Sequence, residues 1–216
     1  MKSKKAIQPI FSESLYHVKV KADHSKFHKA LCNLEMYDVV VPDPLLDEGK
    51  RNKLSTGNHI SYSKKVLDLK EFKSLKNVLY KEIKEAIQKY FYYDVDFTIE
   101  NSWGTMSEPN SVSTFHVHSN YWYSAVYYPH GSHEDEMSIV FEKALCDFFM
   151  VPVKKYNHSN QTQYVLRVTE GDLIIFPASL RHKIGFNFTK QNRYSIAINI
   201  LPKGNIGEGD GTRKLS

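Results

Sequence analysis

The chain has 216 residues, 41% hydrophobic and 25% charged, with 12 Phe, 14 Tyr and a formal net charge of +5. That balance excludes an intrinsically disordered chain and a collagen-like fibre. No apolar run reaches the roughly 18–20 residues that cross a bilayer. Cys32 and Cys146 are the two cysteines; they cannot build a disulfide framework and lack zinc-finger spacing, so a reducing, cytoplasmic setting is expected. Residues 1–5 are basic, but residues 6–11 are too short and too polar for the core of a signal peptide. The lysines are interspersed with carboxylates. This reads as a solvated surface suited to an anionic small molecule and argues against a nucleic-acid surface.

In chain order, residues 14–20 alternate like a short strand. Asp23 is placed to cap a helix running to about Leu34, with Phe27, Leu31 and Leu34 on one face. Residues 39–56, which contain Pro42, Pro44 and Gly49, read as an irregular connection. Residues 70–92 predict the longest helix. Leu75, Val78, Leu79, Ile83, Ala86, Ile87 and Tyr90 form its apolar stripe, and Asp68 and Glu71 stand where a capping box would open it.

From residue 97 the period changes. Short segments rich in Val, Ile, Tyr, Phe and Thr alternate at 97–106, 113–118, 122–128, 137–141, 164–168, 173–176 and 193–201, with turn signals between them. The expected fold is mainly β with N-terminal helices (α+β): a jelly roll whose major sheet is covered by those helices. The expected organisation is a single domain over 1–203, with a mixed or helical part at 1–96 and a jelly-roll core at 97–201. A flexible, Gly-rich tail over 204–216 follows.

Three fragments carry chemistry. In His116-Val117-His118 the two imidazoles point to one face of an extended chain, as two metal ligands would, although a single His-x-His is also a common accident. His182 follows the apolar run 173–176 and comes 64 positions after His118, enough for intervening strands to bring the three together. In Arg193-Tyr194-Ser195-Ile196-Ala197-Ile198-Asn199 the face with Tyr194, Ile196, Ile198 and Ile200 reads as core. The face with Arg193, Ser195, Ala197 and Asn199 reads as a cavity wall. Arg193 with Ser195 two residues on can hold a carboxylate; a rim arginine paired with an acid is the alternative.

Together these fragments resemble the iron(II)/2-oxoglutarate-dependent oxygenases. The chain is most similar to a small family of them from bacterial and phage genomes that carries a His-x-His motif. The resemblance runs through Asn101-Ser102-Trp103, His116-Val117-His118, Ser124-Ala125-Val126-Tyr127-Tyr128 and Ile139-Val140-Phe141-Glu142. It continues through Ile175-Phe176-Pro177-Ala178-Ser179-Leu180-Arg181-His182 and Arg193-Tyr194-Ser195-Ile196-Ala197-Ile198-Asn199, in that order. It implies a double-stranded β-helix, Fe(II) held by His116, His118 and His182, and 2-oxoglutarate held by Arg193, Ser195 and Tyr128. It also implies a hydroxylation that uses O2 and releases succinate and CO2. Trp103, Tyr121, Trp122 and Tyr123 are candidates for the mouth of the site, with core packing as their alternative.

Two departures from the family pattern stand out. Lys143-Ala144-Leu145 replaces Asp-Pro-Arg, which implies a remodelled loop. His118 stands where most of the superfamily has a carboxylate, so either three imidazoles hold the metal or water or an anion takes the third position. The polar loop with His130, His133, Glu134, Asp135 and Glu136 reads as an exposed lid rather than a second metal site. A cupin-like three-His dioxygenase without 2-oxoglutarate and a non-catalytic jelly-roll binding module stay open. The first leaves Arg193 without a role. The primary substrate is not legible, and exposed strand edges permit a homodimer.

Overall fold

The computed structural model describes residues 12–41, 54–111, 113–132, 137–143 and 151–215. Strand β1 (Tyr16–Lys19) leads into helix α1 (His24–Cys32) and strands β2 (Met36–Val41) and β3 (Leu54–Ser61). Two single 3-10 turns, Val66–Asp68 and Lys70–Phe72, precede helix α2 (Lys73–Glu85), which runs into a π turn at Ala86–Tyr90. Then come β4 (Asp96–Ser107), β5 (Tyr123–Tyr127), β6 (Ser138–Glu142), β7 (Gln163–Arg167), β8 (Asp172–Pro177), β9 (Arg181–Ile184), β10 (Arg193–Ile206) and β11 (Arg213–Leu215).

Among the described residues, eight strands form a major sheet in the order β1-β8-β5-β10-β4-β3-β2, with β11 added to β10; a minor sheet has the order β7-β6-β9. All pairings within these sheets are antiparallel. The two sheets face each other as a double-stranded β-helix, or jelly roll, and the helices cover the outer face of the major sheet.

The sheet's period of two divides its side chains between two cores. Toward the helices go Tyr123, Ala125 and Tyr127 of β5, Leu173 and Ile175 of β8, and Ile196, Ile198 and Ile200 of β10. They meet Phe27, Leu31, Leu75, Leu79 and Ile83. Toward the minor sheet go Val126, Ile174 and Phe176, which pack with Tyr128, Met137, Ile139 and Phe141. Gly171 turns the chain into β8 at φ +85°, where any Cβ would also press on the His24 ring at 3.0 Å.

Several local expectations change. Asp23 does cap α1, its carboxylate accepting from the Lys26 amide at 3.1 Å, but the helix ends at Cys32. The long helix starts later than expected and lacks the capping box: Asp68 pairs instead with Lys76 at 2.5 Å. The π turn adds a residue to the helical repeat, with the Phe91 amide reaching back to the Ala86 carbonyl at 2.9 Å. Tyr90 is thereby rotated off the buried stripe and lies exposed. Residues before β4 supply three strands of the major sheet, and parts of the expected 39–56 connection are the ends of β2 and β3. The sheet needs partners for β4, and hairpin pairing overrides the weak local signal. The tail expected to be flexible from Gly204 continues β10 to Ile206 and folds back as β11. Most of the 39–56 connection, the 144–150 loop with Cys146, and the 133–136 acidic segment lie outside the described residues. No helix among the described residues is long and apolar enough to cross a membrane.

Candidate metal centre and its cavity

Pro177 closes β8, and a turn in which the Leu180 amide bonds the Pro177 carbonyl at 2.9 Å sends the chain back as β9. That return sets His182 opposite His116. The two residues exchange both backbone hydrogen bonds, at 2.9 and 3.0 Å, although the 113–118 segment forms only this isolated bridge rather than the full strand its sequence predicts. The His118 amide bonds the Ala178 carbonyl at 2.9 Å, so both ends of His-x-His are tied to the segment that carries the third imidazole.

The side chains converge accordingly. One ligand atom each from His116, His118 and His182 lies within 4.8 Å of the others. Three points so spaced share a centre about 2.8 Å or less from each, within an ångström of the roughly 2.0–2.1 Å of a metal–imidazole bond. The ring centroids are 5.4, 4.5 and 5.1 Å apart.

Hydrogen bonds fix which nitrogen each ring offers. His116 Nδ1 faces the Thr114 carbonyl at 3.0 Å, and His182 Nδ1 faces the Leu180 carbonyl at 2.8 Å. His118 Nδ1 faces Asn199 Oδ1 at 2.5 Å and the Ser124 hydroxyl at 3.0 Å. A carbonyl oxygen only accepts, so each Nδ1 carries the proton and each Nε2 keeps its lone pair. This is the arrangement that orients metal-binding histidines in general. Burial also favours the neutral form of His118 and His182. His182, 4% exposed and wedged against Phe176 at 4.6 Å, has its pKa brought down to about 3 by burial; the Leu180 carbonyl opposes the shift and the two neighbouring imidazoles add to it. Burial lowers His118 as well, against its bond to Asn199 and with His116 adding to the effect. Three pre-oriented nitrogen donors fit a divalent transition metal such as iron, nickel, copper or zinc.

The imidazoles open on a cavity of about 620 Å³. Its floor includes Tyr128, Ser195, Ala197 and Asn199, and its apolar lining includes Val126, Ile139 and Ile184. Arg193 belongs to the same row of β10 as Ser195, Ala197 and Asn199 and is 4% exposed. Its Nη2 donates to the Gly185 carbonyl at 2.8 Å, and no carboxylate among the described residues pairs with it. Burial lowers the guanidinium's pKa, while the nearby Tyr128 raises it. Tyr128 is itself pushed up by burial, against the charge of Arg193. The Ser195 hydroxyl shares a 2.6 Å bond with Thr105 Oγ1. If Thr105 donates, the Ser195 proton is left for another acceptor.

Of the four aromatics expected at the mouth, Trp103 and Tyr121 line the cavity. Tyr123 is buried on the opposite face of β5, and Trp122 packs there at its edge, both in the helix-side core. Period-two alternation puts Tyr123 on the outer face and leaves Ser124 for the cavity. The roles of Asn199 and Ser124 at His118 were not identifiable beforehand. His130 is drawn to the backbone of β10, its Nε2 accepting from the Tyr194 amide at 2.7 Å, and it stacks on His28 at 4.1 Å.

Residues 101–199 match the family described as "Putative 2OG-Fe(II) oxygenase". No curated protein matches the chain in sequence. Among solved structures, HygX from Streptomyces hygroscopicus, with nickel and 2-oxoglutarate bound, is similar at TM-score 0.59 and 14% identity, over 88% of this chain and 83% of that one. A prolyl-4-hydroxylase from Pseudomonas putida is similar at 0.53 and 13%, over 88% and 93%. An oxidoreductase of the 2OG-Fe(II) oxygenase family from Burkholderia pseudomallei is similar at 0.55 and 12%, over 82% and 78%. At such identities the likeness speaks for the fold.

Proposed function

We propose that the chain belongs to the 2OG-Fe(II) oxygenase superfamily and is an Fe(II)- and 2-oxoglutarate-dependent dioxygenase that hydroxylates its substrate. Bound through Nε2 of His116, His118 and His182, Fe(II) would supply the oxidative chemistry, using O2 and turning the cosubstrate into succinate and CO2.

The observation that carries this reading is Arg193. A guanidinium that is 4% exposed and has, among the described residues, a single backbone carbonyl as hydrogen-bond partner and no carboxylate beside it is costly unless an anion completes it. The far carboxylate of 2-oxoglutarate is such an anion. Arg193 binds it, and the Ser195 and Tyr128 hydroxyls orient it by donation. Asn199 and Ser124 keep the proton of His118 on Nδ1; Thr114 and Leu180 do the same for His116 and His182. Val126, Ile139 and Ile184 exclude water from the inner cavity. Three neutral imidazoles leave the metal's full double charge to attract a dianion, which a carboxylate in place of His118 would halve. HygX binding nickel and 2-oxoglutarate on a similar fold supports the assignment. In this reading residues 1–203 act as one domain, since β1 to β3 complete the sheet that carries the cavity.

Calorimetric titration of the Ni(II)-loaded protein with 2-oxoglutarate tests the reading, followed by succinate release from the Fe(II) form over a substrate panel. Stoichiometric binding that Arg193→Ala weakens at least a hundredfold is expected. Absence of 2-oxoglutarate binding by the native chain would overturn the assignment.

A further inference from the structure

The outer part of the cavity has a charge of its own. Lys64 lines it, half-buried, at the corner that follows β3. Its Nζ donates to the Ser61 carbonyl at 2.9 Å and to the Tyr37 hydroxyl at 3.2 Å, and it lies 5.0 Å from the centre of the Tyr37 ring. An ammonium has three protons to donate, and these contacts use two. No described carboxylate forms an ion pair with Lys64, whereas the adjacent Lys65 pairs with Glu100 at 3.5 Å. Among the described residues, no Asp or Glu lines the cavity at all.

The backbone holds Lys64 in place relative to the metal centre. Its carbonyl accepts from the Ser102 amide at 2.9 Å, which sets it beside Trp103. The Trp103 ring in turn lies 5.5 Å from the His118 ring, and Trp103 and Lys64 line the same cavity. In a partly enclosed cavity an opposite charge is felt more strongly than in water. A neutral occupant can accept the third proton but leaves the charge unbalanced, and a cationic one is repelled.

We propose that Lys64 is a specificity residue: the primary substrate carries an anionic group, a carboxylate or a phosphate, that pairs with Lys64, and an apolar or aromatic body that packs on Trp103. Calling the occupant a substrate rests on the oxygenase reading; the anion site does not. Arg193 is a separate charge, taken by the cosubstrate in that reading.

The test is calorimetry on the full chain loaded with Ni(II) and saturating 2-oxoglutarate, using three probes of one shape: indole-3-acetate, indole-3-acetamide and tryptamine. The acetate is expected to bind at least tenfold more tightly than the amide, with tryptamine weakest. Lys64→Gln is expected to bring acetate and amide within twofold while 2-oxoglutarate affinity stays unchanged. Lys64→Arg is expected to keep the preference. Phenyl phosphate run against phenol distinguishes a phosphate from a carboxylate requirement. Equal affinity of acetate and amide, a preference that survives Lys64→Gln, or no binding by any probe up to millimolar concentration overturns the proposal. If the native chain fails to take up 2-oxoglutarate, the oxygenase reading fails. The same comparison on the unloaded protein then decides the Lys64 site alone, with a Lys64-dependent preference supporting it and its absence overturning it.

Discussion

His116 and His182 hold each other by two backbone hydrogen bonds, at 2.9 and 3.0 Å, before any metal is involved. The register of one isolated bridge, rather than a long strand pairing, brings two of the three imidazoles together. The third depends on the bond from His118 to Asn199, which sits 81 positions away in the sequence.

Asn199→Ala should therefore weaken metal binding without unfolding the protein. Losing the partner that orients a metal-binding histidine typically costs 10–100-fold in affinity. Chelator competition with Ni(II) or Zn(II) reads the change, and circular dichroism checks the fold. An unchanged affinity would show that His118 is not oriented by Asn199.

Arg193→Met should leave the ligand-free protein at least as stable as the native chain, because it removes a buried charge that has no ion-pair partner among the described residues. The same substitution should abolish stabilisation by 2-oxoglutarate. In the native chain, ligand at 100 times its Kd adds about 2.7 kcal/mol. Thermal unfolding of the Ni(II) form with and without 2-oxoglutarate measures both effects. Strong destabilisation of the ligand-free variant would mean that the guanidinium has a structural role.

Ile198→Ala tests the separation of core from cavity. Ile198 is wholly buried on the helix side of β10, between Ala197 and Asn199, which both face the cavity. Its truncation should cost about 2–5 kcal/mol by denaturant unfolding. Metal affinity per folded molecule should stay within a few-fold, since the imidazoles and their partners lie on the other face.

Asp172 sets an acid limit on stability. Burial alone would raise its carboxyl, but hydrogen bonds from His17 at 2.8 Å and from the Thr169 amide at 2.6 Å, with the Lys19 charge, hold it below the ordinary value. A depressed folded-state pKa stabilises the fold above the unfolded carboxyl value, near 3.9, and that stabilisation is lost as pH falls through the folded value. Urea midpoints should drop as pH falls from 5 toward 2, and Asp172→Asn should flatten that part of the profile. An equally steep profile in the variant would assign the acid sensitivity elsewhere.

The fold was legible wherever one strand carries two distinct faces. In β10, Ile196, Ile198 and Ile200 alternate with Ser195, Ala197 and Asn199, and both the core and the cavity wall follow from that pattern. His-x-His and the later His182 were legible as residue types, and Asp23 as a cap. Features that depend on contacts distant in sequence were not legible. The bond between Asn199 and His118 leaves no local signal, and neither does the bond from the Ser102 amide that sets Lys64 next to the strand of Trp103. β9 is four residues long and centred on a charged and polar run, so propensity does not mark it. Tyr90 was misplaced because a π turn breaks the 3.6-residue period that put it on the stripe.

The most direct test of the central claim is an anaerobic absorbance titration of the native chain with Fe(II) and 2-oxoglutarate. A weak visible charge-transfer band that requires both components, and disappears in Arg193→Ala and in His182→Ala, is the result expected. The contrary result is no band with both present, or a band that survives loss of Arg193. Either one would separate the three imidazoles from the buried guanidinium and remove the basis for the oxygenase assignment.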